Sequence, residues 1–171
     1  MKRVKASWVI VSIAAVVGVT SGSRVGAAQG TNGNSNPAIG TWKLNLAKSK
    51  YDPGPPPKSQ TQKFEAVGND GAKNITEGVA ADGSRTAYSW TVNYDGKDYP
   101  ITGVGTPNGS DTIAIKRIDA NTTTSTLKKA GKVVLTTRTV YSTDGKLRTI
   151  TYKGTNESGQ PTNNVAVYDR Q

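Results

Sequence analysis

Gly40-Thr41-Trp42-Lys43-Leu44-Asn45-Leu46 is the stretch that decides the fold. Trp42, Leu44 and Leu46 alternate with Thr41, Lys43 and Asn45, and a strand sends alternate side chains to opposite faces. The stretch predicts a first strand over Ile39 to Leu46 with one buried face. Trp42 is one of only two Trp residues beyond the first 28 positions.

Downstream, short alternating segments are separated by hairpin turns. Ser59 to Val67 runs to Asn69-Asp70-Gly71, and Lys73 to Val79 to Asp82-Gly83. Ser84 to Tyr94 runs to Asp95-Gly96, and Lys97 to Thr102 to a loop holding Asn108-Gly109. Asp111 to Ile118 runs to Asp119-Ala120-Asn121, and Thr122 to Lys129 to Ala130-Gly131. Lys132 to Ser142 runs to Asp144-Gly145, Lys146 to Gly154 to Ser158-Gly159, and Thr162 to Gln171 ends the chain. This predicts an all-β fold of ten strands with no substantial helix. Turns at about ten-residue spacing are the mark of such folds. Short links make neighbours in sequence antiparallel neighbours in space, hence a meander. Closure into an up-and-down β-barrel removes the unpaired edges and is preferred over a two-sheet sandwich.

One connection is longer. Ala47 to Lys58 carries Pro53, Pro55, Pro56 and Pro57, a density that excludes helix and paired strand. It is the best candidate for a functional flap.

The chain begins with an export signature. Lys2, Arg3 and Lys5 precede an apolar run from Trp8 to Val19, and Val25-Gly26-Ala27-Ala28 supplies small residues for cleavage after Ala28. The run is shorter than the ~20 residues that span a bilayer. The expected organisation is a signal peptide over 1–28, a flexible Gly/Asn/Ser-rich lead-in over 29–37, and one barrel domain over 38–171. The chain has no Cys, so it is not an acylated lipoprotein and has no disulfides. An exported chain of this kind suits a bacterial periplasm or exterior.

Removing Lys2, Arg3, Lys5 and Arg24 from a net charge of +10 leaves +6. That surplus suits either a solvated strand surface that resists edge pairing or peripheral contact with anionic envelope lipids or glycans. No run of five basic residues occurs, and nucleic acid is not an expected partner. The absence of His and Cys removes imidazole acid–base chemistry, thiol nucleophiles and ordinary zinc sites. Most Asp residues sit in turns, where a backbone role explains them. Glu65 and Glu77 could form a catalytic carboxylate pair only if they shared a face across a hairpin; surface positions are the simpler reading. No catalytic residue, metal or cofactor is expected.

Large aliphatics are scarce and Phe64 is the single Phe. Tyr88, Trp90, Val92 and Tyr94 share one face; Ile113, Ile115 and Arg117 share another; Arg138 falls with Val134, Thr136 and Val140. Such a set either leaves a cavity for one small ligand or makes a modest packed core under Thr-rich outer faces. An Arg turned inward would need a carboxylate or an anionic ligand, and Arg117 and Arg138 are the candidates.

Two ends of the chain resemble a known superfamily. Gly40-Thr41-Trp42-Lys43-Leu44 resembles the Gly-x-Trp opening strand of the calycins, the lipocalins and fatty-acid-binding proteins. Asp144-Gly145-Lys146-Leu147 and Val167-Tyr168-Asp169-Arg170 resemble the late turn and final strand of the fatty-acid-binding branch. The segments around Gly40 to Tyr51, Tyr94 to Gly103 and Asn163 to Arg170 resemble small exported bacterial proteins with lipocalin-like domains. The resemblance implies a barrel closed at one end by Trp42 with Arg170 over it, Gly40 completing the signature, and a mouth flanked by Ala47 to Lys58. It also marks two departures. The portal helices of the fatty-acid-binding branch are replaced by the proline loop. The Arg that holds a fatty-acid carboxylate two residues before the final Tyr is Ala166 here.

The expected function is non-catalytic binding of a small hydrophobic or amphipathic ligand by a monomer, with Tyr88, Trp90, Tyr94, Arg117, Arg138 and Tyr168 as candidate lining. The alternative is a filled barrel acting as an envelope-interaction protein through its basic exterior.

Overall fold

Ten strands form, in the order the turn spacing predicts: β1 Gly40–Leu44, β2 Ser59–Val67, β3 Gly71–Val79, β4 Arg85–Asn93, β5 Asp95–Val104, β6 Thr112–Asp119, β7 Thr122–Lys129, β8 Lys132–Tyr141, β9 Leu147–Thr155 and β10 Pro161–Arg170. The computed structural model describes residues 36–155 and 159–171. The expected signal peptide and most of the expected lead-in therefore lie outside the described residues. Each strand pairs antiparallel with its neighbour in sequence, and β1 pairs with β10 to close the barrel. Closure is registered by Trp42 opposite Arg170 and Leu44 opposite Tyr168. The fold is thus an antiparallel meander barrel, and the sandwich is excluded.

Four turns use the same local device. Asp82, Asp95, Asp119 and Asp144 each accept a hydrogen bond from the backbone N–H two residues on, at 2.8–3.0 Å. The short polar side chain takes the place of a backbone acceptor and sets the hairpin. These bonds hold the carboxyls of Asp82, Asp95 and Asp119 below their usual range, and for Asp144 the Ser142 hydroxyl does so first and the backbone bond second.

Two expectations need correction at the N-terminal side. Asn36 and Pro37, assigned to a flexible lead-in, are tied down. Asn36 Nδ2 donates to the Tyr94 hydroxyl at 3.1 Å and Pro37 O accepts from Arg170 at 2.8 Å. The connection from Ala47 is also less irregular than its prolines suggest. A short 3-10 turn, Leu46–Lys48, leads into a segment that runs beside β10, with Lys50 and Val165 exchanging both backbone hydrogen bonds at 2.7 Å. Residues 46–52 precede the proline cluster and keep their N–H groups, so nothing prevents pairing there.

The ladder between β4 and β5 is short, with only Ala87–Trp90 paired with Ile101–Val104. Pro100 stands just before that patch and has no N–H to donate.

The core follows from the alternation. Trp42, Phe64, Val92, Ile113, Ile115, Leu127, Leu135 and Ile150 are buried. The inward faces also carry Gln62, Asn74, Thr76, Thr123, Ser125 and Thr139, all buried. This is the polar share that the scarcity of aliphatics imposes.

Candidate functional site

The barrel has a sealed end and an open end. At the sealed end Trp42 is fully buried and its indole N–H donates to Ala38 O at 2.8 Å. Tyr141 packs against it with ring centroids 5.6 Å apart. Arg170 covers the indole from outside, its guanidinium carbon 4.3 Å from the ring centroid.

Above that floor lie two chambers. The deep one has a cavity volume of about 60 Å³ and reaches from Tyr141 and Tyr94 up to Tyr88 and Tyr152. The wider one, about 330 Å³, opens at the mouth between Tyr51, Pro55 and Pro57 of the proline loop and Pro107 and Asn108 of the β5–β6 loop. Tyr88, Pro107 and Tyr152 line both, so the chambers adjoin. The interior is neither hollow throughout nor filled. Aromatic rings occupy much of the lower half; Phe64 and Trp90, for example, meet edge to face at 5.7 Å.

One wall of the deep chamber is aliphatic, from Ile101, Ile113, Ile115 and Leu127 on β5 to β7. The opposite wall is polar and centres on Arg148, which retains only 7% of its exposure. Arg148 Nη1 donates to Gln62 Oε1. Gln62 Nε2 donates onward to Gln60 Oε1 at 3.4 Å and to the Tyr168 hydroxyl at 3.5 Å, and the Tyr168 hydroxyl itself donates to Gln60. The polar chain therefore climbs from the deep chamber to the mouth. The guanidinium also sits 4.7 Å from the Phe64 centroid, 5.6 Å from Tyr168 and 5.8 Å from Tyr141, positions in which a ring face attracts a cation.

Among the described residues no carboxylate is buried, so Arg148 has no anionic partner inside. Its Nε lacks a hydrogen-bond acceptor, and so does the Nδ2 of Asn74, which is 1% exposed. Asn74 lines the same chamber, its Oδ1 taken by Thr76 Oγ1 at 2.7 Å. Thr162 Oγ1, at the mouth, is buried without a partner as well.

Burial raises the pKa of the interior phenols: Tyr51 and Tyr152 are pushed up to about 12, and Tyr88, Tyr94 and Tyr168 also rise. These rings are neutral hydrogen-bonding groups near neutrality. The chamber thus presents one fixed positive charge, neutral donors and an apolar wall.

The candidate lining residues divide. Tyr88, Trp90 and Tyr94 line the deep chamber, and Tyr168 lines the mouth. Arg138 does not belong to the site: it is exposed on the outer face of β8, opposite Thr151. The inward face of β8 is the other register, Leu135, Thr137, Thr139 and Tyr141, where the large apolar side chains fall. Arg117 shares the inward face of β6 but lies at the rim of the sealed end. There it pairs with Asp70 at 2.8 Å and covers Tyr94 at 4.4 Å, and it lines neither chamber. The buried cation is Arg148 instead. The signal for it lay in the Asp144-Gly145 hairpin, which sets Arg148 opposite Tyr141 on β8.

Glu65 and Glu77 are on the outer surface, where Glu65 meets Lys63 at 2.9 Å and Glu77 meets Arg85 at 3.9 Å. Among the described residues no group of three or more His, Asp or Glu side chains is placed to hold a metal.

No protein-family model and no curated protein matches the chain. Among solved structures it is similar to the fluorescent protein UnaG, at 14% identity and a TM-score of 0.51, over 78% of this chain and 96% of that one. Rv2717c from M. tuberculosis overlaps at 14% identity and a TM-score of 0.48, over 79% and 93% of the two chains. The redesigned β-barrel mFAP1, solved bound to DFHBI, overlaps at 12% identity and a TM-score of 0.42, over 78% and 95%. At such identities the likeness to UnaG is one of fold alone.

Proposed function

We propose that the protein is an exported, non-catalytic binding protein that holds one small, partly apolar ligand inside its barrel. The observation that carries this reading is the pair of adjoining chambers between the mouth and the Trp42 floor. The mouth chamber, with Pro55, Pro57 and Leu135 in its lining, suits an apolar portion of a ligand, and the polar chain from Arg148 to Tyr168 suits a hydrogen-bonding portion. UnaG gives the fold parallel only.

A non-catalytic role is supported by the absence of any Asp or Glu among the described residues that line the two chambers. Export rests on the first 28 residues and their cleavage motif. A monomer is favoured because the closed ladder leaves no free strand edge.

The test uses the mature chain and Nile red, a neutral lipophilic probe. Binding of one probe per chain at micromolar concentration, abolished by Ala81→Trp in a folded protein, is the expected result. Ala81 lines the mouth chamber, so a bulky ring there blocks the space. Native mass spectrometry of protein purified from its own host then reads the bound molecule and the cleavage site together. A bare mass with no probe binding would sink the reading and leave the basic exterior as the working surface.

A further inference from the structure

The deep chamber is small, and its size limits what enters it. At 10–15 Å³ for each water-sized position, about 60 Å³ accommodates roughly four or five heavy atoms. That is the size of a carboxylate with its neighbouring carbon, and too little for an alkyl chain or a ring system.

The chemistry of the wall is equally restrictive. A buried cation without an anion is costly, because neither a carbonyl nor a ring face neutralises it. Arg148 has only uncharged partners: Gln62 Oε1 and the Tyr141 hydroxyl by hydrogen bonds, and the faces of Phe64, Tyr141 and Tyr168. Two N–H groups on this wall, Arg148 Nε and Asn74 Nδ2, have no acceptor although both residues are more than nine-tenths buried. An uncompensated charge beside two unused donors calls for one group that is negative and offers several lone pairs. Carboxylates and small oxyanions have that combination.

We propose that Arg148 and Asn74 form a site for one compact oxyanionic group in the deep chamber, with any bulkier part of the same molecule confined to the mouth chamber. The proposal deepens the ligand-binding reading and rests on it for the path through the mouth. The oxyanion has two sources, a free small anion or the acidic head of a larger molecule. The mouth chamber of about 330 Å³ has room for the body of the latter.

The test is isothermal titration of the mature protein with acetate, with 3-phenylpropionate and with 3-phenylpropanol, the neutral counterpart. Both carboxylates should bind the wild type, and the alcohol should bind at least about tenfold more weakly than 3-phenylpropionate, the span of one charged hydrogen bond. Phenylpropionate binding much more tightly than acetate identifies an acidic head on a larger body; equal affinities identify a free compact anion. Arg148→Met should weaken both carboxylates by at least about tenfold while keeping the strand circular dichroism and the cooperative melt of the wild type, which shows that the barrel is intact. Asn74→Leu should weaken them less, and Arg138→Met, on the outer face of the same hairpin, should leave them unchanged. Equal carboxylate affinity in wild type and Arg148→Met would overturn the proposal. So would carboxylate-free behaviour in a wild type that still binds Nile red, whereas loss of Nile red binding as well would instead strike at the ligand-binding reading.

Discussion

Arg170 and Trp42 face each other across β10 and β1, with the guanidinium 4.3 Å from the indole centroid. Three backbone carbonyls fix that position: Arg170 Nε donates to Gly145 O at 2.6 Å, Nη1 to Ile39 O at 2.6 Å and Nη2 to Pro37 O at 2.8 Å. One side chain thereby joins the β8–β9 turn, the entry to β1 and the Trp42 floor. Arg170→Ala should cost about 3 kcal/mol, from charged hydrogen bonds worth ~1.5–3 kcal/mol each, partly replaced by water. Arg170→Lys should recover little of this, since an ammonium cannot reproduce the planar fork. Urea unfolding of the three proteins measures the difference, and a lysine variant as stable as wild type would refute the role of the fork.

The same contact sets a requirement on Gly40. Its φ is +129°, and an added Cβ would stand 2.5 Å from Arg170 Nη1. Gly40→Ala should therefore destabilise by about 2–3 kcal/mol, one part backbone strain and one part collision. Removing the arginine separates the two. In the double-mutant cycle with Arg170→Ala the collision disappears, so the combined loss should be smaller than the sum by about 1 kcal/mol. Strict additivity would show that the collision contributes nothing.

These relations also show how far the sequence was legible. The ten strands could be read because every link but one is a short turn with its own Asp or Gly signal, and closure followed from the cost of free edges. The mouth loop was read less well. Its prolines hid the pairing of Lys50 with Val165, which depends on residues 115 positions away in the chain. The site was the least legible part. Arg138 and Arg148 lie on one hairpin and on opposite faces, because Arg138 opposes Thr151 and Arg148 opposes Tyr141. Alternation says that one of the two must point inward. It does not say which, since both faces of β8 carry Val, Leu or Thr. Packing decides in favour of the face holding Leu135 and Tyr141.

Arg148→Met is expected to separate stability from binding. Burying the guanidinium works against its charge, although the surrounding Tyr141, Tyr168 and Tyr152 keep its pKa above the ordinary value. Methionine of similar length removes the desolvated charge and the unpaired Nε, and leaves Gln62 able to turn to Tyr168. Replacing buried charge by a well-packed apolar side chain is often neutral or stabilising by ~1–4 kcal/mol. The melting temperature should stay level or rise. A fall of several degrees would mean that the ring faces and Gln62 already compensate the charge fully.

Stability should form a plateau across neutral pH and fall off at alkaline pH. The chain has no His, so no imidazole titrates between pH ~5 and ~8. The turn carboxyls of Asp82, Asp95 and Asp119 are lowered by their backbone hydrogen bonds, and that of Asp144 by the Ser142 hydroxyl and then its backbone bond. Their contribution is complete above the unfolded value of ~3.9 and is lost as pH falls below it. The phenols set the other limit with the opposite sign. Burial lifts Tyr51 and Tyr152 from 10.0 to about 12. Between those values the unfolded chain has released protons that the folded chain retains, so ionisation pulls the equilibrium toward unfolding. Their contribution is full below pH ~10 and is lost as pH rises through ~10 to ~12, on the order of 2 kcal/mol for each. Melting temperatures should be level from pH ~5.5 to ~9 and drop beyond ~10. Absorbance at a wavelength specific for phenolate, read in parallel, should show most tyrosines ionising only as the barrel unfolds. A stability that already declines between pH ~7 and ~9, or phenolate appearing with its ordinary midpoint in the folded protein, would contradict burial of this ring cluster.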